Sequence, residues 1–136
     1  MDEEGRGAIR KTVGEQVLYP ELSYKIMAAV FEVHNRLGPG FTEDIYQRAT
    51  VCELEARRIP LESQKAIEVF YKGQIMGTYR LDLVVDGKVI LELKAVSALN
   101  DLFKQQLLSY LKATQLRLGI LVNFGASRVE HVRIIN

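Results

Sequence analysis

The sequence predicts an α/β (α+β) domain in which helices flank a mixed β-sheet, with the element order α-α-β-β-β-α-β-β. Three observations support this fold class. Two segments near the N-terminus carry apolar residues at helical spacing. The stretch 65–96 then changes to a period of two and contains two hairpin signals. A long capped helix and two further apolar strands follow, which completes an arrangement of sheet and flanking helices.

The composition indicates one soluble domain. The chain has 136 residues, of which 48% are hydrophobic, enough for a sizeable core. Its 18 basic residues nearly balance 17 acidic ones, which argues against binding nucleic acid through bulk charge alone but does not exclude a local basic groove. No apolar run approaches the roughly 18 residues that span a bilayer, no signal peptide is visible, and a single cysteine is compatible with a reducing compartment. A cytoplasmic protein without a membrane segment is therefore expected.

The N-terminal third is expected to be an arm followed by two helices. Residues 1–19 are polar and aperiodic, so we expect a mobile arm preceding one domain over residues 20–136. The first helix begins at Pro20 and ends at "LGPG" (37–40), because glycine and proline cannot continue it. Thr42 can cap the second helix. That helix is expected to bury its one thiol within an apolar stripe formed by Ile45, Ala49, Cys52, Ala56 and Ile59.

The period-two stretch predicts three strands in an antiparallel meander. The strands are expected over residues 65–73, 75–85 and 88–96, which are rich in β-branched and aromatic residues. Lys72-Gly73-Gln74 and Asp86-Gly87 separate them and are both typical of hairpins.

The C-terminal part predicts one more helix and two strands. Asn100 and Asp101 can cap a helix over about 100–115. The strand over residues 118–124 is apolar enough to lie centrally in the sheet. A last strand over residues 129–135 ends the chain.

Charged side chains interrupt two of the predicted strands. Glu92 and Lys94 lie within the apolar run "VILELKAV" (89–96), and Asp82 interrupts "YRLDLVV". A buried charge is costly unless it is paired or bound to a metal. Two desolvated carboxylates on neighbouring strands repel, which implies a compensating cation. Carboxylate oxygens suit Mg²⁺ or Mn²⁺, and a lysine beside them can orient or deprotonate water, so the combination is suited to attack on phosphorus.

Each polar residue also has an ordinary structural interpretation. Glu43 can be an acid matched to a helix N-terminus, and Asp82 can be a solvated strand residue. Glu92 and Lys94 can form a surface pair worth only about 0.2–1 kcal/mol. On the third helix, Gln106 can be exposed and Tyr110 can be a core aromatic residue, so only the combination is specific.

The order of these residues resembles the PD-(D/E)xK nuclease superfamily. Asp82, nine intervening residues and Glu92-Leu93-Lys94 resemble its D…ExK signature, and Gln106 to Tyr110 fits the QxxxY pattern of the RecB-like and lambda-exonuclease-like branches. The stretch "GFTEDIY" (40–46) fits G-x-x-E-x-x-Y, the pattern that names a group of small uncharacterised bacterial proteins in this superfamily. The resemblance covers roughly residues 20–136 and implies a restriction-endonuclease-like core. The proline that often precedes the aspartate is absent, since Leu81 stands there.

The resemblance implies a role for each motif residue. Asp82 and Glu92 would ligate Mg²⁺ or Mn²⁺, together with the Leu93 carbonyl, and Glu43 would reach the metal or its water. Lys94 would position the attacking water. Of the two residues on the third helix, Gln106 would orient Lys94 or a phosphate, and Tyr110 would support that geometry or touch the nucleic-acid backbone. Some RecB-like nucleases place a metal-binding histidine upstream of the helical acid, as His34 precedes Glu43 here. For His34, however, a capping or solvent-facing role is preferred.

The register of one hairpin provides a geometric condition for this site. A two-residue loop at Asp86-Gly87 would place Asp82 opposite Leu91, so that Glu92 would point to the other face. A shared metal therefore requires a three-residue loop or a β-bulge between residues 82 and 92.

These observations favour a metal-dependent phosphodiesterase acting on nucleic acid, with DNA as the expected substrate. The alternative is a catalytically silent module of the same fold that binds nucleic acid or protein, or serves a larger complex. The sequence does not decide between a monomer, a homodimer and a larger assembly. It also does not decide between DNA and RNA as the substrate, or between endonuclease and exonuclease action.

Overall fold

The structure, a computed structural model, describes residues 17–136. The predicted order of elements is confirmed, and their bounds are α1 (Pro20–Leu37), α2 (Glu43–Ala56), β1 (Leu61–Tyr71), β2 (Gln74–Val85), β3 (Val89–Lys94), α3 (Asp101–Thr114), β4 (Leu118–Asn123) and β5 (Glu130–Ile135). The arm expected over residues 1–19 falls on residues 1–16, which lie outside the described part of the chain, and on three residues that lead into α1.

The five strands form one mixed sheet in the order β1-β2-β3-β4-β5. The expected meander is confirmed, because β1 pairs antiparallel with β2 and β2 antiparallel with β3. β3 and β4 run parallel, as their connection through α3 requires. All six residues of β4 are buried between β3 and β5, which confirms the central position that its apolar sequence predicts.

Helices cover both faces of the sheet and divide the core in two. One core cluster lies between the sheet and the pair α1 and α2, and it includes Ile26, Val30, Leu54, Leu91 and Phe124. The other lies between the sheet and α3, and it includes Ile90, Leu107, Tyr110, Leu111 and Leu121. The alternation of side chains along the strands sends neighbouring residues into opposite clusters.

The helix ends agree with the sequence signals except at one cap. Pro20 occupies the first turn of α1. The side chain of Asn100 accepts a hydrogen bond of 3.0 Å from the amide of Phe103, as an N-cap should. Thr42 occupies the N-cap position of α2, but its side chain makes no capping hydrogen bond.

The expected buried face of α2 is wrong by about one residue. Tyr46, Thr50 and Leu54 are buried, whereas Ile45 and Cys52 are exposed. The helix turns this way because the Tyr46 ring stacks on Phe124 and the Thr50 hydroxyl donates to the carbonyl of Tyr46. Apolar periodicity alone did not reveal the face because its centre is a tyrosine and a threonine.

β1 begins four residues before the expected start. The segment "LESQ" (61–64) has no apolar alternation, but Leu61 to Ser63 pair with Val85 to Leu83. Pairing with β2 therefore extends the strand where local pattern does not. Among residues 17–136, no helix has both the length and the hydropathy needed to cross a membrane.

Candidate functional site

The β2–β3 hairpin has the register that the candidate site requires. Its pairs are Leu83 with Leu91, Val84 with Ile90, and Val85 with Val89, so a three-residue loop, Asp86 to Lys88, connects the strands. The expected irregularity is confirmed. Asp86 and Gly87 both lie in the left-handed region, at φ 53° and 65°, which favours glycine at the second position. Continuing this register by one residue places Asp82 opposite Glu92.

Beyond the pair Leu83 and Leu91, hydrogen bonds from backbone amides to carboxylate side chains join the two strands. The amide of Asp82 donates to Oε1 of Glu92 at 2.9 Å, and the amide of Leu93 donates to Oδ2 of Asp82 at 2.9 Å. The two carboxylates therefore satisfy amides that the ladder leaves unpaired. Each carboxylate commits one oxygen in this way and keeps the second oxygen for another partner.

Side-chain alternation along β2 breaks at Asp82. Leu81 packs in the core cluster beneath α3, whereas Leu83, two residues later, packs in the cluster beneath α1 and α2. On β1 the neighbouring residue, Gln64, has φ 53°. A regular strand would send Leu81 and Leu83 to the same face, so the strand is irregular at Asp82. The irregularity coincides with the position at which Asp82 faces Glu92.

Burial disfavours the ionised form of both carboxylates. Glu92 is 6% exposed, and burial, followed by the charge of Asp82, raises its pKa to about 8. Burial also raises the pKa of Asp82, while the Leu93 amide and the Lys94 charge oppose that rise. Two such carboxylates are stable together in the ionised form only when a cation offsets their charge.

Lys94 lies at the end of β3 beside this pair. It is half-buried, and its Nζ lies 4.9 Å from the centroid of the Phe103 ring on α3. Its charge lowers the pKa values of Asp82, Glu92 and Glu43 against the effect of burial. The backbone of Lys94 is fixed as well, because its carbonyl accepts from the amide of Phe124 at 2.8 Å.

Glu43, the first residue of α2, is within electrostatic reach of the same group. Its side chain is exposed overall, yet partial desolvation raises the pKa of its carboxyl, Lys94 lowers it and Asp82 raises it again. The macrodipole of α2 also favours an acid at this end. Glu43 therefore approaches the carboxylate pair and Lys94 from α2.

The loop before α2 holds Glu43 in place. The Tyr46 hydroxyl donates to the carbonyl of Gly38 and accepts from the amide of Phe41, at 3.2 Å in the second case. Gly40 has φ 115°, a backbone conformation that disfavours other residues. The glycine and tyrosine of the "GFTEDIY" stretch thus shape the loop that presents the glutamate.

The two candidate residues of α3 differ in their surroundings. Tyr110 is buried and packs against Tyr79 with ring centroids 5.4 Å apart. Burial, followed by the charges of Glu92, Tyr79 and Asp82, raises its pKa to about 12, so it lies near the carboxylate pair. Gln106 is exposed, and no hydrogen bond from its side chain to the described residues is found, so the geometry does not join it to Lys94.

The donor set fits a hard divalent cation, although it is not preassembled as a cluster. Within residues 17–136 no three His, Cys, Asp or Glu side chains come together as ready metal ligands. Asp82 and Glu92 nevertheless each retain a carboxylate oxygen, and oxygen donors are those that Mg²⁺ and Mn²⁺ prefer. Leu93, whose carbonyl completes the expected set, is fully buried, and its amide donates to Asp82.

His34 corrects one expectation. It is buried rather than solvent-facing, its Nε2 lies 3.1 Å from the carbonyl of Ala126, and its ring stacks on Phe124. The cause is the packing of α1 under the loop that follows β4. The Nε2 atom of His34 is therefore engaged in a structural contact.

Sequence reasoning missed three residues that support the site. The Gln47 side chain donates to the carbonyl of Asp82 at 3.4 Å, and its position four residues after Glu43 on α2 could have revealed it. Phe103 lies under Lys94. Asn123 is fully buried, accepts from the amides of Val96 and Gly125 and donates to the carbonyl of Val96, which fixes the chain just after Lys94.

Comparison with known proteins agrees with this fold. Residues 20–134 match the family described as the PD-(D/E)XK nuclease superfamily, and the chain belongs to that superfamily. The sheet flanked by three helices is consistent with its restriction-endonuclease-like fold.

Among solved structures, the chain is similar to the crystal structure of SSO0001, with a TM-score of 0.52 and 20% identity. The match covers 87% of this chain and 59% of that chain, so this chain spans little more than half of its length. At this identity the likeness concerns the fold alone. A search of curated proteins gave no match.

Proposed function

We propose that the protein is a metal-dependent nuclease that hydrolyses phosphodiester bonds of nucleic acid, with DNA as the expected substrate. Membership of the nuclease superfamily supports phosphodiesterase chemistry. The observation that carries the proposal is the reciprocal bonding of Asp82 and Glu92 beside Lys94. Each carboxylate accepts from a backbone amide with one oxygen and keeps its other oxygen for a ligand.

Asp82 and Glu92 would hold Mg²⁺ or Mn²⁺, with the Leu93 carbonyl and Glu43 as further ligands. When bound, such an ion polarises a phosphoryl oxygen and lowers the pKa of a coordinated water. Lys94 would orient the attacking water and stabilise negative charge that develops on the phosphoryl oxygens. Tyr110, with a pKa of about 12, keeps its proton at neutral pH and can donate it in a hydrogen bond to a phosphate oxygen. Gln106 would orient a phosphate from the exposed side of α3.

The finer placement in the G-x-x-E-x-x-Y group and the RecB-like branch is also a proposal. The left-handed backbone of Gly40 and the hydrogen bonds of Tyr46 to Gly38 and Phe41, in the loop before Glu43, support the first. The position of Tyr110 near the carboxylates supports the second, whereas the exposure of Gln106 does not contribute.

The test is cleavage of labelled single-stranded DNA, duplex DNA and RNA by purified protein during a Mg²⁺ or Mn²⁺ titration. We expect metal-dependent cleavage that EDTA abolishes and that Lys94→Ala reduces by at least about a hundredfold, the lower range for a positioned proton-transfer group. Lys112→Ala, which removes an exposed lysine of α3, should leave it unchanged. Cleavage that survives both EDTA and Lys94→Ala would contradict the proposal and indicate a contaminating nuclease.

A second candidate is a catalytically silent module of the same fold. It is favoured by the lack of a preassembled ligand cluster among residues 17–136. A module of this kind would bind nucleic acid or protein but would neither bind Mn²⁺ at the carboxylate pair nor cleave any substrate. Mn²⁺ binding to the wild-type protein therefore separates the two candidates.

A further inference from the structure

The outer half of the β1–β2 hairpin exposes an unusual set of apolar side chains. From Glu68 to Thr78, a segment that we name the hairpin tip, no residue is buried. Four large apolar residues there are more than half exposed: Phe70, Tyr71, Ile75 and Met76. Scattered apolar residues on a surface are ordinary, but a contiguous group marks a contact site. The hairpin tip is therefore a candidate interaction surface.

This surface is continuous with the candidate nuclease site. Tyr79, which follows the hairpin tip on β2, is half exposed and lies 5.4 Å, centroid to centroid, from Tyr110. Tyr110 in turn lies close enough to Glu92 and Asp82 for their charges to act on it. An extended ligand that crosses the carboxylate pair can therefore continue along Tyr79 to the tip.

The charge at the turn of the hairpin selects the occupant. Over the whole hairpin, residues 61–85, three basic residues balance three acidic ones, and Lys65 pairs with Glu62 at 3.2 Å. Lys72 is the cation at the turn, with Nζ 5.5 Å from the centroid of the Tyr71 ring. A symmetric contact through the turn would bring Lys72 of both copies together, whereas a phosphate backbone complements that charge.

The aromatic side chains narrow the occupant further. Aromatic rings stack on the faces of nucleobases, which a duplex hides and a single strand exposes. Phe70 and Tyr71 follow one another on β1 and therefore offer one ring on each face of the tip. Lys72 lies beside the Tyr71 ring, so the tip combines stacking surface with a cation for the backbone.

We propose that the hairpin tip is a stacking platform for the bases of single-stranded nucleic acid, and that it guides an unpaired strand to the Asp82–Glu92 pair. The inference rests on the proposed nuclease function and specifies its substrate. It assigns Phe70 and Tyr71 to base stacking and Lys72 to the phosphate backbone.

The test measures binding of a fluorescein-labelled single strand and of its blunt duplex in EDTA by fluorescence anisotropy, so that cleavage is not needed. The wild type should bind the single strand more tightly than the duplex. Phe70→Ala and Tyr71→Ala should each weaken single-strand binding at least about fivefold, the lower range for one lost base stack. Tyr24→Ala, which removes an even more exposed tyrosine from α1, should leave binding unchanged.

Several outcomes would overturn the inference: equal binding of single strand and duplex, unchanged binding by both tip variants, or the same loss in Tyr24→Ala. A wild-type dimer in sedimentation velocity that both tip variants dissociate would also overturn it, in favour of a second copy. Metal-dependent cleavage with any of these results would leave the nuclease function intact. Selective single-strand binding without cleavage in Mn²⁺ would instead contradict the nuclease function alone.

Discussion

At the scale of single residues, the central feature is a carboxylate pair whose burial is unfavourable without a cation. The carboxylate of Glu92 accepts from the Asp82 amide of β2, and the carboxylate of Asp82 accepts from the Leu93 amide of β3, so the backbone holds both carboxylates. Their charges are not offset by this bonding, because the amides are dipoles and not cations. The metal-free protein should therefore show the cost of the second charge directly.

The residue-scale prediction concerns Glu92→Gln in metal-free protein. The pKa of Glu92 rises to about 8 from an ordinary value of 4.5, so the protonated form is favoured by folding. This contribution to stability is fully present below the ordinary pKa and is lost as the pH rises toward about 8. Glutamine removes the charge and can still accept from the Asp82 amide.

We therefore expect the free energy of unfolding of the wild type in EDTA to fall between about pH 5 and pH 8, and that of Glu92→Gln to change less. At pH 8 the variant should be more stable by at least about 1.4 kcal/mol, the equivalent of one pKa unit. Urea unfolding across pH measures this, with the exposed Glu68→Gln as control. A less stable Glu92→Gln at pH 8 would show that the ionised carboxylate is stabilised by groups already present.

At the scale of elements, the hairpin loop and the α1–α2 loop decide where the candidate residues lie. The sequence alone shows that a shared metal needs a three-residue loop or a bulge in the β2–β3 hairpin, and the three-residue loop meets this condition. The helix and strand order followed from periodicity, Pro20 and Asn100. The face of α2 did not, because Tyr46 and Thr50 are buried through a ring stack and a hydroxyl bond that period counting cannot detect.

The element-scale prediction concerns Tyr46→Phe. The change keeps the ring stack on Phe124 but removes the hydroxyl that links Gly38 and Phe41. We expect a loss of about 1–3 kcal/mol in the free energy of unfolding, because two loop groups lose a partner in a half-buried place. If Glu43 contributes to the metal site, half-saturation by Mn²⁺ in the cleavage assay should shift to higher concentration.

Ser127→Ala, an exposed position between β4 and β5, is the control for both readouts. A Tyr46→Phe variant with wild-type stability would show that the hydroxyl does not hold the loop. Lower stability with an unchanged Mn²⁺ response would separate the loop from the metal site and remove Glu43 from the proposed ligands.

At the scale of the whole molecule, three layers bring residues from distant parts of the chain to one end of β3. α2 contributes Glu43 and Gln47, and α3 contributes Tyr110. The layers could be predicted, since a strand-rich stretch with helices on both sides in sequence must bury both faces of its sheet. The supporting contacts of Gln47 and Asn123 could not, because single polar residues acquire partners only once the fold places them.

The whole-molecule prediction tests how α3 is seated on the sheet. A Cβ on Gly119 of β4 would lie 2.8 Å from side-chain atoms of Leu107, whereas a Cβ on Gly77 would meet nothing within 4 Å. We expect Gly119→Ala to destabilise the protein by about 1–3 kcal/mol through overpacking and Gly77→Ala to be nearly neutral. Thermal and urea unfolding measure the difference, and equal stability of the two variants would contradict the close packing of α3.

The central claim is that the Asp82–Glu92 pair binds a divalent cation, and Mn²⁺ binding followed by electron paramagnetic resonance tests it most directly. The matched variants are Asp82→Asn, at the site, and Asp86→Asn, in the loop of the same hairpin, where asparagine tolerates the left-handed backbone. We predict that the wild type and Asp86→Asn bind Mn²⁺ equally and that Asp82→Asn binds it at least about tenfold more weakly, a difference of about 1.4 kcal/mol. Equal binding by all three proteins, or none by the wild type, would contradict the claim.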